Sequence, residues 1–481
     1  QYNMKKYEAF GTHSLDIQET LEIPNGAGEI TLTTPHNWEE SILSYYGRAN
    51  YDFRSKYMVE AQFRYDGSSK FQAANRWAFF WGTSLGWRIT EEKFMEGLRP
   101  WVNELKLRAS YGNVGNQGGI DRYSGTTFYT MHSTGGNVIG GSLVGNMDLK
   151  GSLPSTDRTW ERVHNYNVAL DFGLFNGRLS GTVEAFMKRT NNMLINVEYP
   201  HIIGQAVPTS NSGKFKAWGY EGQANWNDRI GSVNYHVGGT FTYVENRLTD
   251  NGGSGAIGAG QRSDQEGYPL NSVWGYRYCG KIQNAEQLEK YKARYGKDCA
   301  IGNLDLLRLG DNMFEDVNKD GTLDQKDLVY LGTNDPKIQY SFNFGADWKG
   351  FDVNFIFQGA AKRTIWRTIN SSNAPDTWRI PMRNAYQNGS NHWIGNVWSE
   401  EHPDNRYPQL TMQSTINDYN YQCSSWSVQD GSYLRLKNFT IGYTLPKALL
   451  QKQKVISNVR VYVTGTDLWE WKANTDDWDP E

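Results

Sequence analysis

The chemistry most readable in this sequence is cation binding, in an acidic stretch in the second half of the chain. The segment DVNKDGTLDQKD, residues 316–327, spaces its oxygen-bearing residues as a twelve-residue calcium loop does. Gly321 stands where such a loop needs a residue that permits a sharp turn. The candidate ligands are Asp316, Asn318, Asp320, the carbonyl of Thr322, Asp324 and Asp327. We therefore expect Ca²⁺ as a structural cofactor that fixes this loop.

The same segment also fits an acidic turn without metal. Asp327 replaces the Glu that usually closes a calcium loop, and its shorter side chain gives weaker or monodentate coordination. Asp and Asn side chains can instead accept hydrogen bonds from nearby backbone N–H groups. Both interpretations are open at this stage.

The cysteines offer one further linkage. Cys279 and Cys299 flank the polar stretch NAEQLEKYKARYGKD, which is predicted to be helical, and could form a disulfide in an oxidising compartment. Cys423 stands alone. Three unpaired thiols are the alternative.

No catalytic motif has the context that it needs, so we expect a protein that is not an enzyme. GTSLG at residues 82–86 matches a nucleophile-elbow pattern but lies inside a predicted strand. GSGAIG at residues 253–258 matches a dinucleotide-binding pattern, but no strand precedes it and no helix follows. The eight histidines contain no H-E-x-x-H pair.

The elements that must position these residues are strands with two different faces. In KYMVEAQFRYDGSS, which begins at Lys56, apolar residues alternate with charged or polar ones. The pattern recurs about twelve times at roughly the length of a tilted membrane-spanning strand, less cleanly in the last two. The predicted strands lie near residues 43–53, 56–66, 76–89, 104–111, 164–174, 177–190, 217–227, 230–246, 338–348, 350–363, 432–444 and 457–469.

The connections between these strands alternate between short and long. The longest lie near residues 113–163, 191–216, 247–337 and 364–431. Strict alternation places every long loop at the same edge of the sheet, as in outer-membrane barrels with short periplasmic turns and long extracellular loops. The sequence therefore predicts an all-β, antiparallel transmembrane β-barrel wall, with the apolar row toward lipid and the polar row toward a wet lumen. A soluble β-sandwich would explain the alternation but not the loops.

Composition agrees with this prediction. The 481 residues carry a net charge of −3, which argues against a nucleic-acid partner. Aromatic residues make up 14% of the chain, as suits strands that end in aromatic belts. The chain has no apolar run of about 18 residues, so a transmembrane helix is not expected. It opens without a secretion signal, which fits a cytoplasmic protein or a fragment that starts within a longer one.

Several long strings resemble the SusC/RagA family of TonB-dependent outer-membrane transporters. They follow the order SYYGRANYDFRSKYMVEAQFRYDGSSKF, NRWAFFWGTSLGWRITEEKFM, NELKLRASYGNVGNQ, FEDVNKDGTLDQKDLVYLG, NDPKIQYSFNFGADWKGFDVNFIFQGA, NVWSEEHPDNRYPQLT and SYLRLKNFTIGYTLP. The resemblance implies a 22-stranded barrel closed by a plug. It also implies a SusD-like surface lipoprotein as lid, and energy from TonB acting on the plug.

On this basis residues 1–481 are expected to be the C-terminal part of the barrel, with the plug outside them. The expected function is import of nutrient oligomers, first oligosaccharides and alternatively oligopeptides, across the outer membrane of a Gram-negative bacterium. The rival expectation is a soluble, secreted carbohydrate-binding or glycan-degrading β protein. Inward charges such as Arg64, Glu104, Arg108 and Glu184 are expected to touch substrate or plug, or to pair with one another.

Ligand contact is also expected from tryptophans in the long loop after Arg363, because their rings could stack on sugars or peptide side chains. These residues are Trp366, Trp378, Trp393 and Trp398. Packing within the loop, or contact with the lid, is the alternative for each of them.

Overall fold

A computed structural model gives the fold. It describes residues 2–9, 12–15, 29–32, 36–132, 138–139, 142–143, 146–149, 153–155, 157–197, 200–253, 258–261, 264–295, 299, 301–366, 393–411, 413–450, 456, 458–474 and 479–480. The structural statements below concern these residues.

One antiparallel sheet of thirteen strands dominates the described part of the chain. Its strands are β1 (Tyr2–Ala9), β2 (His36–Phe53), β3 (Tyr57–Ser68), β4 (Trp77–Arg88), β5 (Val102–Asn116), β6 (Glu161–Leu174), β7 (Leu179–Ile195), β8 (Ser210–Ile230), β9 (Val233–Asp250), β10 (Ile338–Trp348), β11 (Phe351–Ala361), β12 (Tyr433–Thr444) and β13 (Arg460–Lys472). Each strand pairs with the next one in this order.

The remaining elements are short and lie in the connections. The strands are Thr12–Leu15, Glu29–Leu32, Tyr129–His132, Val138–Ile139, Ser142–Leu143, Asn146–Leu149, Gly260–Gln261, Ser272–Gly275, Tyr278–Lys281, Asn312–Phe314, Val329–Thr333, Thr364–Trp366 and Val428–Asp430. The α-helices are α1 (Ala285–Tyr295), α2 (Ser414–Asn420) and α3 (Lys447–Leu450). The 3₁₀ turns are Ala73–Asn75, Ile89–Glu91, Lys93–Leu98, His201–Ile203, Leu304–Leu306 and Gln325–Asp327. Among the helices described, none has the length and apolar character to cross a membrane.

The pairing register gathers the apolar rows of all neighbouring strands on one face of the sheet. Phe63 of β3 is opposite Trp81 of β4, and Phe342 of β10 is opposite Phe357 of β11 with ring centroids 4.5 Å apart. This face has no second layer of the described chain over it: Phe63 remains 49% exposed and Val183 54% exposed. An apolar face of this size left open is what contact with hydrocarbon requires.

The connections confirm the predicted alternation of edges. Short turns such as Arg54–Ser55 and Lys349–Gly350 join the strands at one edge, and both pairs have the positive φ angles that tight turns use. The long connections 69–76, 117–160, 196–209, 251–337 and 362–432 leave from the other edge. We call these the short-turn edge and the long-loop edge.

Two details of the strand prediction need correction. The sheet has thirteen strands and not twelve, because the first, β1, escaped notice: its adjacent Lys5 and Lys6 break the alternation. The uneven alternation near residues 432–444 and 457–469 also has a cause. A register shift between Leu436 and Asn438 inserts one residue, so the outward parity changes within β12.

The long-loop edge carries a folded unit that the sequence pattern did not reveal. Residues 272–333 and 393–428, which we call the loop unit, share a core although they come from two connections. Tyr291 of α1 lies 2.9 Å from Tyr419 of α2 between their hydroxyl groups, and both side chains are buried. Asn420 donates to Asp311 at 2.8 Å and accepts from the backbone N–H of Asn312 at 2.8 Å. The predicted helix within residues 284–298 is confirmed as α1.

The short-turn edge is tied by Glu92, which follows β4. Its carboxylate binds the Lys56 ammonium at 2.6 Å and accepts from the Tyr57 hydroxyl at 2.7 Å and the Trp87 indole N–H at 3.0 Å. The hydrogen bond from Lys56, followed by that from Tyr57, lowers the pKa of Glu92 from its ordinary value of 4.5 to about 2. Because Tyr57 and Trp87 are Cα partners, Glu92 fixes the polar ends of an aromatic pair at this edge.

A charge placed on the apolar face should destabilise the protein. Val183 lies midway between two aromatic rows, since Leu179 pairs with Trp226 and Met187 pairs with Trp218. We predict that Val183→Lys lowers the free energy of unfolding in lipid vesicles by about 2–4 kcal/mol, the usual cost of a lysine at the bilayer midplane. The control is Gln223→Lys on the opposite face, which should change it little. Equal losses in the two variants would contradict the assignment of the faces.

Stability should also depend on the ionisation of Glu92. Because its folded pKa lies below 4.5, its contribution is fully present above pH 4.5 and is lost as the pH falls through about 2. We predict that Glu92→Gln lowers the free energy of unfolding at pH 7, and that its difference from the wild type shrinks below pH 4.5 and vanishes below about pH 2. Urea unfolding across this range measures the effect. The control is Glu91→Gln, whose carboxylate contacts Arg99 at 3.6 Å. A pH-independent deficit in Glu92→Gln would argue against the ionised contact.

Candidate functional site

The polar face of the sheet is lined by ion pairs, some between neighbouring strands and some within one strand. Arg108 of β5 donates two hydrogen bonds to the Asp171 carboxylate of β6, at 2.7 and 2.8 Å, and Thr182 of β7 donates to the same carboxylate at 2.9 Å. Arg64 contacts Asp66 at 2.7 Å within β3. Such pairs are partly exposed, so they orient side chains in a wet environment and contribute only modestly to stability.

The predicted inward charges therefore divide into two groups. Arg64 and Arg108 pair with carboxylates, as the sequence analysis allowed. Glu184 lines a cavity on the polar face together with Arg108, and Glu104 lies opposite Gly173 near the short-turn edge. The partner Asp171 was not singled out from the sequence, although its parity within β6 placed it on the polar row.

Two adjoining cavities run along this polar face. The larger has a volume of about 850 Å³ and the smaller about 510 Å³, and both are lined by Glu60, Ser84 and Ser110. The remaining polar lining includes amide and charged side chains: Gln62, Arg64, Asp66, Asn116, Gln117 and Asn165 in the larger cavity, and Asn50, Asp52, Lys106, Arg108, Asn167 and Glu184 in the smaller. These groups can both donate and accept hydrogen bonds, as a polar chain molecule would need.

An aromatic cluster closes the long-loop end of the larger cavity. Phe80 points to the polar face, and Trp160 and Phe71 pack on it with Ile120. The Trp160 ring lies 4.9 Å from that of Phe71, and its indole N–H donates to the carbonyl of Arg76 at 3.1 Å. The connections 69–76 and 117–160 are thereby fastened over the polar face. No short sequence pattern predicts this cluster, because its members come from β4 and from two different connections.

The tryptophans predicted to contact ligand occupy packed positions where the structure describes them. Trp393 and Trp398 are each only 5% exposed. Trp393 packs on Tyr407 with centroids 4.0 Å apart, and Trp398 donates to the side chain of Gln283 at 2.9 Å. Trp366 is half-buried at the end of strand Thr364–Trp366, and Trp378 lies outside the described residues. Trp393 and Trp398 thus offer no open ring face for stacking.

The possible disulfide between Cys279 and Cys299 is not formed, and all three cysteines are free thiols. Cys279 lies exposed on strand Tyr278–Lys281, whereas Cys299 is buried with its thiol directed at the carbonyl of Leu323, 3.5 Å away. Cys279 therefore lies at the surface of the loop unit, whereas Cys299 lies in its core.

The acidic loop 316–327 is an ordered part of the loop unit. Asp316 accepts from the N–H of Gly321 at 3.0 Å through Oδ2, and Asp320 accepts from the N–H of Thr322 at 2.9 Å. Asp327 accepts from the N–H groups of Val317 at 2.8 Å and Asp324 at 3.0 Å, so it clasps the two ends of the loop. Within the residues described, no three Asp, Glu, His or Cys side chains converge as a metal site.

The GTSLG pattern lies within β4, as predicted, so Ser84 sits on a sheet face and not on a strand-to-helix turn. Most of the GSGAIG pattern, residues 254–257, lies outside the described residues.

Comparison with known proteins agrees with this geometry. Residues 5–468 match a family model described as TonB dependent receptor-like, beta-barrel. The chain is 28% identical over 443 residues to TonB-dependent receptor P26 of Formosa agariphila, covering 89% of this chain and 42% of that protein. It is 25% identical over 459 residues to TonB-dependent receptor SusC of Bacteroides thetaiotaomicron, covering 90% of this chain and 40% of that protein.

The fold is also similar to a chain in the structure of the RagAB peptide transporter. The TM-score is 0.75 at 23% identity, covering 100% of this chain and 50% of that chain. The chain thus spans less than half the length of the curated relatives that it matches. The family model covers nearly all of this chain, and the antiparallel sheet agrees with the β-barrel that the family's description names. The chain therefore belongs to the TonB-dependent receptor-like β-barrel family of the bacterial outer membrane.

Proposed function

We propose that this chain forms part of the wall of an energy-coupled importer of nutrient oligomers in the outer membrane of a Gram-negative bacterium. The observation that carries the proposal is the contrast between the two sheet faces. One is an open apolar surface, and the other is a row of polar groups around adjoining cavities. Strands satisfy every backbone group in lipid only when they form a closed barrel, so further strands outside residues 1–481 would complete the wall.

The chemistry of the polar face favours oligosaccharides as the ligand. Its charges at Arg108 and Arg64 are balanced by Asp171 and Asp66, so a strongly charged ligand would have to break existing ion pairs. Amides such as Gln62 and Asn165 and the hydroxyl group of Ser84 can exchange hydrogen bonds with the hydroxyl groups of sugars. Oligopeptides are the second candidate, because backbone amides could use the same groups.

Two protein partners follow from the proposal. A SusD-like surface lipoprotein would act as a lid on the long-loop edge, where the loop unit provides a folded platform. TonB would act through a plug segment outside this chain, and the plug would gate passage beside the polar face. In this proposal the protein has no catalytic role: binding, sealing and release are its tasks.

The rival function, a soluble and secreted protein that binds or degrades glycans, differs in its physical requirements. It needs the apolar face to be covered by another protein layer, and a degrading enzyme needs two carboxylates that converge in one cleft. The open exposure of Val183 and Phe63 and the pairing of Asp171 with Arg108 favour the importer.

The test uses the complete gene that encodes this chain, deleted from its native host. We predict that the mutant loses growth on one class of oligosaccharide but grows normally on the corresponding monosaccharide. Uptake of a fluorescently labelled oligosaccharide should also fall in wild-type cells treated with a protonophore, because import draws on the proton gradient. Complementation with the intact gene is the control.

Other outcomes separate the alternatives. Loss of growth on peptides alone would replace the oligosaccharide assignment with the oligopeptide one. Unchanged growth of the mutant on oligosaccharides and on peptides, together with extraction of the protein from cells without detergent, would contradict the proposal that the protein is an importer.

A further inference from the structure

One buried carboxylate oxygen in the loop unit lacks a partner. Asp316 is only 2% exposed, and its Oδ2 accepts from the N–H of Gly321 at 3.0 Å. Its Oδ1 is buried and accepts no hydrogen bond. A carboxylate oxygen buried without a donor is costly, and such groups usually bind a donor, a water or a cation. The bond from Oδ2 to Gly321 directs this carboxylate across the acidic loop.

The neighbouring oxygens on the loop belong to residues at the loop's surface. Asn318 Oδ1 accepts from the N–H of Asp320 at 2.9 Å, and Asp320 Oδ1 accepts from the N–H of Thr322 at 2.9 Å. Each of these oxygens keeps a further lone pair for a cation. The backbone positions required for this arrangement include Lys319 at φ 63° and Gly321 at φ 87°. The oxygens of Asp316, Asn318 and Asp320 thus belong to one tight turn.

We propose that residues 316–327 bind one Ca²⁺ ion through Asp316, Asn318, Asp320 and the carbonyl of Thr322. Asp324 contributes through water, and other waters complete the six to eight oxygens that Ca²⁺ takes. Asp327 acts differently from the residue that usually closes a calcium loop. Both its oxygens are engaged by backbone N–H groups, so it clasps the loop and is not a direct ligand. With Asp316 and Asp320 as its direct carboxylates, the site does not need three acidic side chains to converge, and none do so in the part of the chain that the structure describes.

The charge of the loop supports a cation in this place. Four carboxylates lie within twelve residues, against Lys319 and Lys326. Lys326 is 3.7 Å from both Asp320 and Asp324, and its side chain is 71% exposed. A mobile ammonium at the surface can move aside for a divalent ion, which would neutralise the same two carboxylates at shorter range. Lys326 therefore acts as the competitor of the ion.

The position of the loop gives the ion a structural effect. Leu323, within the loop, is fully buried in the core of the loop unit, and Leu328 follows the loop into the same core. The loop also joins strand Asn312–Phe314 to strand Val329–Thr333. An ion held by Asp316 would thus fix the segment that carries Leu323 between these strands, and Ca²⁺ would stabilise the loop unit as a whole.

The test is terbium luminescence on the purified, detergent-solubilised protein, because Tb³⁺ replaces Ca²⁺ and is excited through nearby aromatic rings. Tyr295 is hydrogen-bonded to the backbone of Asp316 and serves as the sensitiser. We expect saturable Tb³⁺ emission that Ca²⁺ displaces. Asp316→Asn and Asp320→Asn should each weaken Tb³⁺ binding by about tenfold or more. Asp320 is exposed, so its variant tests the ligand without disturbing the core.

The matched control is Glu286→Gln, which removes one exposed carboxylate from α1 in the same loop unit and should leave the emission unchanged. A second measurement is limited proteolysis, in which Ca²⁺ should protect residues 301–333 of the wild type but not of Asp320→Asn. The proposal would be overturned by unsaturable emission in the wild type, or by equal Tb³⁺ affinity in Asp320→Asn and Glu286→Gln. Cleavage unaffected by a chelator would also contradict it.

Discussion

The register of the β ladders is the constraint on which the rest of the structure depends. Side chains alternate between faces along a strand, so a slip of one residue would exchange the two faces completely. In this protein such a slip in β7 would put Glu184 on the apolar face and Val183 on the polar face. The cost of a charge in hydrocarbon and the cost of an unpaired backbone group together specify one register across thirteen strands.

The same constraint explains why the two edges differ. Turns such as Arg54–Ser55 must hold the register and are short, and Glu92 reinforces this edge by tying Tyr57 to Trp87. Segments at the other edge are free of the membrane and can fold by ordinary burial. They do so in the loop unit, where tyrosines and leucines form a core of the kind found in soluble proteins. The same chain thus contains a sheet whose register is specified by contact with lipid and a loop unit whose core forms by burial of apolar side chains from water.

Much of the wall could be predicted from the sequence, because its rule is local. Alternation identified twelve of the thirteen strands, and the lengths of the connections identified the two edges. The exceptions are equally local: Lys5 and Lys6 interrupt the pattern in β1, and the extra residue near Lys437 inverts it within β12. The loop unit could not be predicted in this way. Its contacts, such as Tyr291 with Tyr419 and Tyr276 with Cys423, join residues more than a hundred positions apart.

The candidate site shows the same division. Parity placed Arg64 and Arg108 on the polar face, but their partners Asp66 and Asp171 depend on rotamers and pairing that no short pattern encodes. Trp393 and Trp398 looked available in the sequence because a loop position implies exposure, yet both are buried in a core assembled from two connections. Spacing predicted a calcium loop with Asp327 among its ligands, and calcium binding stays a prediction, whereas the contacts of Asp327 with backbone N–H groups emerged only from the structure.

The most direct measurement of the central claim is the environment of alternate residues along β7, read by spin labels placed one at a time at residues 181–187 in lipid vesicles. Lipid-dissolved oxygen and a water-soluble nickel chelate report hydrocarbon and water respectively. The account predicts high oxygen and low nickel accessibility at residues 181, 183, 185 and 187, and the reverse at residues 182, 184 and 186. Uniform accessibility to both reagents would show that water reaches the apolar face, and protection of residues 181, 183, 185 and 187 from both reagents would show that protein covers it. Either result would contradict the claim that this face contacts lipid.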